Sequence, residues 1–390
     1  MKSYISILLF FYLVAFPFGQ LFKIPFPFLG LAGISISICD FIVGLISGVW
    51  LVDFLRSSKS LRPPYFKEFT YFGIALLFSF LLATSQYNMY EILVAAFYLI
   101  RLVSYGIFYF AVWRLVHDNS NLRKLLTNCL VVLGTVVAVF GLFQYLFFPD
   151  MRLFIVWGWD EHYMRLAGTF LDPGFTSIIL VFSLVLLVTT FVPHNFRKTG
   201  GVKLIHPPGG WISAVLPGLL IFVVFSALVL TYSRAGYVSL IAGAGALALV
   251  RRQILLFILP VLFLLAGIIS LSFMHGLSSE GTNFWRTTSS FARFQSWEKA
   301  IKLWKSSPVF GVGFNFYKYA LSKQNLSLVD GKFVQHGTSG SDSSLLFILA
   351  TTGVVGFIAF LYLLAKIFRE MYTRRVESVV ILSSLIALLV

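Results

Sequence analysis

Residues 212–231 read ISAVLPGLLIFVVFSALVLT, twenty positions without one charged side chain. At 1.5 Å of rise per residue, a helix of about 20 apolar residues matches the roughly 30 Å hydrocarbon core of a bilayer. The pattern recurs. By apolar length the spans run 4–22, 28–52, 70–86, 91–114, 125–148, 173–193, 212–231, 236–250, 253–273, 343–367 and 376–390. Inside hydrocarbon every backbone polar group needs a partner within the protein, which leaves helices or closed barrels. Barrel strands alternate every second residue, and these runs do not. Composition agrees: 58% of residues are hydrophobic and 12% charged, against roughly 45–50% and 25% in soluble domains. The expectation is an all-α, polytopic membrane helical bundle of about eleven transmembrane helices, a single integral membrane domain over residues 1–390. The start, MKSYISILLFFYLVAF, lacks a small-x-small cleavage site and is followed by further spans. It reads as the first helix and not as a signal peptide.

Lysine and arginine set the orientation, because loops that stay in the cytoplasm are enriched in them. With the N-terminus inside, the inside segments collect seventeen such residues, among them Arg56, Lys59, Arg62 and Lys67. The short outside loops hold four: Lys23, Arg152, Arg165 and Arg234. The net charge of +15 is therefore mostly topological. No compact basic domain exists to hold nucleic acid.

Three features fall outside: a loop over 149–172, a tight turn around Arg234, and a long loop over 274–342 before the penultimate span. Long loops inside a compact fold are usually functional. The first, DMRLFIVWGWDEHYMRLAGTFLDPG, carries Asp150, Asp160, Glu161, His162, Arg165 and Asp172. Asp172-Pro173 reads as an N-cap and first helical position, and a solvated loop charge is the plain reading of Arg165. The turn reads LTYSRAGYVSL. In the long loop, Phe291, Phe294, Trp297, Ala300, Ile301 and Trp304 recur at helical spacing with Lys299, Lys302 and Lys305 beside them. This reads as an amphipathic helix on the outer interface; the alternative is an ordinary packing helix with a solvated rim. Gly311 and Gly313 are too little for a nucleotide signature and read as a bend that brings backbone close to a neighbour. His336 and Asp342 flank a Gly/Ser stretch, and Asp342 either caps the next span or serves as a base at the membrane surface. Gly353 and Gly356 inside that span permit close helix packing.

Two further charges, Asp40 and Arg101, fall near mid-span, where ionised groups are costly and usually paired. They read as a structural ion pair between the second and fourth spans. Cys39 and Cys129 lie in apolar runs and read as small hydrophobes. No thiol pair, histidine cluster or HExxH spacing marks a metal, and no Walker motif marks ATP. The expectation is no metal and no cofactor.

Four stretches in order, RLAGTFLDPG, TYSRAGYVSL, ARFQSWEKAIKLWKSSPVFGVGFNFY and DSSLLFILATTGVVG, resemble the O-antigen ligase and polymerase superfamily of bacterial membrane glycosyltransferases over roughly residues 150–370. Val238 stands where the family's Ser-Arg-Gly turn is followed by leucine, and Asp342 stands where the ligase branch usually has histidine. The resemblance implies a GT-C-like helical enzyme in the bacterial cytoplasmic membrane, with its site on the extracytoplasmic side. It implies a glycan donor on polyprenyl (undecaprenyl) pyrophosphate, a glycan or lipid acceptor, membrane lipids as surroundings, and glycan-assembly proteins as partners. Arg165, Arg234 and Arg293 would bind the pyrophosphate, and Asp342, or His336, would act on the acceptor. The departure at Asp342 points to a polymerase, with a ligase to lipid A-core or another acceptor as the alternative. Two other classes compete. A small-anion transporter would place its charges at midplane in repeated halves, and only Asp40 and Arg101 do so. A structural or flippase subunit would not need the Arg234 seam.

Overall fold

The structure is a computed structural model and describes residues 2–25, 34–56, 63–117, 119–157, 161–191, 210–275, 288–326, 328–329, 332–333 and 340–373. Among these the chain forms twelve α-helices. They are α1 (Lys2–Ala15), α2 (Ile38–Arg56), α3 (Phe66–Ala83), α4 (Met89–His117), α5 (Ser120–Phe147) and α6 (Pro173–Phe191). The second half holds α7 (Gly210–Leu230), α8 (Arg234–Arg251), α9 (Leu255–His275), α10 (Thr288–Ser306), α11 (Tyr317–Lys323) and α12 (Ser344–Thr373). Two short antiparallel ribbons pair β1 (Lys23–Pro25) with β2 (Ser35–Ser37) and β3 (Leu328–Val329) with β4 (Lys332–Phe333).

Ten of the eleven expected spans coincide with a helix, and the eleventh, 376–390, lies outside the described residues. Six described helices are long and apolar enough to cross a membrane: α2, α3 with its continuation to Gln86, α4, α5, α6 and α12 to Glu370. Shorter apolar stretches lie at Ser3–Phe18, Val215–Leu230 and Leu255–Ser270. The expected second span, 28–52, is shifted: β2 occupies Ser35–Ser37 and the helix begins only at Ile38.

One domain was expected over 1–390. Backbone contacts group the chain into two compact units, one of Met1–Tyr12, Lys23–Ser120 and Arg286–Arg369, the other of Leu13–Phe22, Asn121–Trp285 and Glu370–Val390.

In the first unit α2 packs on α4. Arg101 Nε lies 2.8 Å from Asp40 Oδ1, and Arg114 Nη1 lies 2.9 Å from Asp53 Oδ2. Both rungs join residues thirteen apart on each helix, so they hold α2 and α4 in one parallel register. Asp40 sits in the first turn of α2 and not at mid-span, because the helix starts late. Its second oxygen accepts from the Ser37 N–H and hydroxyl at 3.0 and 2.8 Å, and Tyr105 donates to the first at 2.9 Å. A buried carboxylate needs its lone pairs occupied in this way.

The same unit contains a broken helix. Gly353 (φ 65°, ψ −168°) interrupts α12, a backbone region essentially reserved for glycine. The loop 308–313 fills the break. The N–H groups of Val312 and Gly313 donate to the carbonyls of Ala350 and Thr351, and those of Val354 and Val355 donate to the carbonyls of Pro308 and Val309. Helical bonds lost at the break are thus remade with loop backbone, as an apolar environment demands. A Cβ at Gly311 would strike Thr351 backbone, and one at Gly353 would strike the Val309 carbonyl. The expected bend at Gly311 and Gly313 has a definite neighbour, and Gly353 makes a break where close helix packing was expected.

The second unit is built on α5 to α9. Its core joins Val137 and Ala138 of α5, Leu180 and Leu187 of α6, Leu228 of α7 and Leu240 of α8. The glycine- and alanine-rich α8 packs against both α6 and α9, as small residues permit.

Candidate functional site

In the second unit the site begins at the turn between α7 and α8. Tyr232 takes φ 50°, which turns the chain sharply after α7. Ser233 is extended and caps α8: its Oγ accepts from the Gly236 N–H at 3.2 Å. Ser177 of α6 shares a 3.0 Å hydroxyl bond with Ser233, and a Cβ at Gly236 would run into the Ser177 side chain. Arg234 is therefore the first residue of α8, half-buried, at the end where backbone N–H groups lack intrahelical acceptors and the helix dipole is positive.

The 149–172 loop folds onto this turn. The Leu166 N–H donates to the Leu230 carbonyl at 2.9 Å. Arg165 donates from Nε to the Thr231 carbonyl at 3.2 Å and from Nη2 to the Tyr232 carbonyl at 3.3 Å. These carbonyls lie in the turn just past α7, at its negative end, and attract a cation. Arg165 and Arg234 are thus brought to one end of the same unit, and Arg165 is a fixed group where a solvated loop charge was the plain reading.

Gln144 of α5 holds that loop and escaped the sequence reading. Its Oε1 accepts from the N–H groups of Ala167 and Gly168 at 2.9 and 3.0 Å, and its Nε2 donates to the Phe148 carbonyl at 2.9 Å. Thr176 adds a 2.6 Å bond to the Ala167 carbonyl. The only sequence signal was the single amide in the apolar stretch of α5 that follows Asn128. Asp172 caps α6, accepting from the N–H groups of Gly174 and Phe175, with Pro173 at the first helical position.

The remaining acids of the loop lie elsewhere. Asp150 pairs with Arg152 through Nε at 2.9 Å and Nη2 at 2.6 Å. These bonds to Arg152 hold the Asp150 carboxyl at about 2, below the ordinary carboxylate value. Arg152 also lies over the Tyr163 ring, 4.7 Å from its centroid. Glu161 is exposed and His162 buried. Asp160 lies outside the described residues.

In the first unit the 274–342 loop does carry a helix, α10, with two distinct faces. Ala300 and Leu303 are buried against α11 and α12, whereas Phe291, Phe294, Trp297 and Ile301 are exposed. One face packs, with Trp304 against the buried cluster, while Phe291, Phe294 and Trp297 of the stripe stay exposed. Arg293 is exposed near the start of α10. One turn on, buried Ser296 accepts the Asp342 N–H at 3.1 Å. Residues three apart share a helix face, so Arg293 and the Asp342 backbone come to the same side of α10.

Asp342 does not cap α12. Ser343 does, with its Oγ 3.4 Å from the Leu346 N–H and its carbonyl accepting from Phe347. The Asp342 carboxylate precedes the helix and is exposed. Tyr317 of α11 is buried, and burial together with the Asp342 charge pushes its phenol up to about 12. His336 lies outside the described residues.

Residues 219–361 match the family described as O-antigen ligase. The matched stretch contains Arg234, Arg293 and Asp342 and stops short of Arg165. No curated protein matches the chain. The match supports the O-antigen ligase/polymerase superfamily that the four motifs resemble, and with it a multi-pass membrane enzyme of the glycosyltransferase type.

Proposed function

Proceeding from the O-antigen ligase match, we propose that this chain transfers or polymerises glycan from a polyprenyl (undecaprenyl) pyrophosphate donor at the outer face of the bacterial cytoplasmic membrane, and that it is a polymerase. The acceptor sugar hydroxyl attacks the anomeric carbon of the donor. The bond from that carbon to the pyrophosphate oxygen breaks, and lipid pyrophosphate leaves with the electron pair. Arg165 and Arg234 receive the growing negative charge. Guanidinium groups remain charged at any working pH and offer planar paired donors to phosphate. Their preorganisation supplies the stabilisation without a metal. Arg293 is assigned to the donor by its motif, and Asp342 takes the acceptor proton or orients the sugar.

The observation that carries this reading is the pinning of Arg165 to the carbonyls of Thr231 and Tyr232, beside the capped start of α8 that bears Arg234. A cation held in place before the reaction loses little entropy when the anion arrives. Asp40 and Arg101, the transporter-like charges, are taken up by the register of α2 on α4, so no observation favours the transporter.

The test incubates the purified chain with a lipid-pyrophosphate glycan in the presence of a chelator. Longer lipid-linked chains mark a polymerase, and transfer to a separate acceptor marks a ligase. Arg165→Ala and Arg234→Ala are each expected to lose about 100-fold or more, the cost of removing a preorganised donor. Normal product lengths in both variants sink the assignment.

A further inference from the structure

Along α8 the second unit contains a cavity whose lining includes none of Arg165, Arg234, Arg293 and Asp342. α8 begins at Arg234 and ends at Arg251; eighteen residues at 1.5 Å put these ends about 27 Å apart, close to a hydrocarbon thickness. The cavity, of about 420 Å³, lies among α6, α7, α8 and α9. Its floor is Leu184, Leu240, Ala244 and Leu247, each buried, and its open side is Phe222 and Leu255, both exposed. Pro260 of α9 lines it as well. Roughly 30 Å³ is the share of one water, so the space is many waters large, yet its lining residues are apolar and give water nothing to bond. Hydrocarbon is the filling such a space accepts.

The polar end of the cavity is basic. Arg251 and Arg252 follow the cavity residue Leu247 by one turn and precede Leu255. Arg251 Nη2 donates to the Thr189 carbonyl at 3.0 Å, next to the cavity residue Val188, which holds the guanidinium at that end. Arg252 is exposed. The sequence over 173–279 contains no aspartate or glutamate, so these four helices bring cations to the cavity end and no carboxylate of their own.

We propose that α6 to α9 bind one anionic phospholipid, with its headgroup phosphate on Arg251 and Arg252 and an acyl chain in the cavity. The occupant is a lipid because the space demands hydrocarbon and its lining includes the exposed apolar side chains of Phe222 and Leu255. It is anionic because Arg251 and Arg252 follow the cavity residue Leu247 on α8 while the sequence over 173–279 supplies no carboxylate, and guanidinium donors suit phosphate. The headgroup end of the site lies about a hydrocarbon thickness from Arg234, and the cavity begins at Leu240, about 9 Å along α8 from it.

The test is thermal melting of the detergent-solubilised full chain, titrated with phosphatidylglycerol, with phosphatidylcholine of the same acyl chains, and with inorganic phosphate. A bound lipid raises the melting temperature in a saturable way. Phosphatidylglycerol is expected to do so at lower concentration than phosphatidylcholine, and phosphate not at all. Arg252 takes φ 54°, which glycine adopts without strain, so Arg252→Gly is expected to fold. It should weaken phosphatidylglycerol about fivefold, since one basic residue is worth about 1 kcal/mol against an anionic lipid surface. Ala244→Phe, which fills the floor, should abolish the shift for both lipids. The proposal is overturned if the two lipids act alike, if phosphate alone reproduces the shift, or if Arg252→Gly titrates like the parent chain.

Discussion

Gln144→Leu is the perturbation that tests how the candidate site is held. The glutamine amide satisfies the N–H groups of Ala167 and Gly168, both in buried residues, and donates to the Phe148 carbonyl. Leucine has a similar volume and leaves the two N–H donors without an acceptor. Each stranded buried donor costs about 1–3 kcal/mol, so the loop loses about 2–6 kcal/mol against its open form. At 1.4 kcal/mol per decade, opening becomes at least about 30-fold more frequent. The assay is amide hydrogen exchange in detergent, read on peptides covering 166–169. Gln144→Glu is the control, because a carboxylate still accepts from both N–H groups while the donor to Phe148 is gone. Protection should collapse in Gln144→Leu and largely persist in Gln144→Glu, with glycan extension following the same order because Arg165 rides on this loop. Unchanged protection at 166–169 in Gln144→Leu refutes the reasoning.

Three further outcomes follow from single contacts. Gly353→Ala places a Cβ against the Val309 carbonyl at a backbone angle reserved for glycine and should cost about 1–3 kcal/mol from the angle alone, read as a lowered melting temperature. Asp40→Ala should cost about 1–3 kcal/mol, between the values for exposed and buried pairs, because the Asp40 and Arg101 side chains are 7% and 34% exposed; exchanging the two charges in a double variant should recover part of that loss. Asp150 has a depressed folded value of about 2 against an ordinary 3.8, so its pairing stabilises the loop above about pH 4 and that stability is lost as pH falls toward 2. The melting difference between Asp150→Asn and the parent should accordingly be present at pH 6 and shrink toward zero by about pH 2.

Much of the helical plan was readable because a membrane span announces itself by length. The apolar run over 173–193 became α6, cap and first-turn proline included. The Asp40–Arg101 pair was readable because hydrocarbon makes two lone charges seek each other. The reading failed where chain direction changed inside an apolar run. Residues 28–37 look like membrane span by composition, but β2 delays α2 to Ile38. Gly353 looked like a packing glycine, and nothing local reveals that loop 308–313 supplies the bonds that let α12 break there. The capping role given to Asp342 belongs to Ser343, one residue on, a shift within the ordinary uncertainty of helix ends.

What the sequence alone determined is what depends on neighbours in the chain: membrane character, because apolar length is a local property; the basic bias of one set of loops; and the spacing of residues around Arg234, Arg293 and Asp342. What only the tertiary structure decided is which of these meet. Arg165 lies far from Thr231 and Tyr232 in sequence and bonds to both carbonyls; Gln144 reaches across to Ala167 and Gly168; Ser296 takes the backbone of Asp342. A buried N–H, carbonyl or guanidinium accepts any partner of the right chemistry, so its choice is set by which elements pack together, and that is a property of the folded chain as a whole.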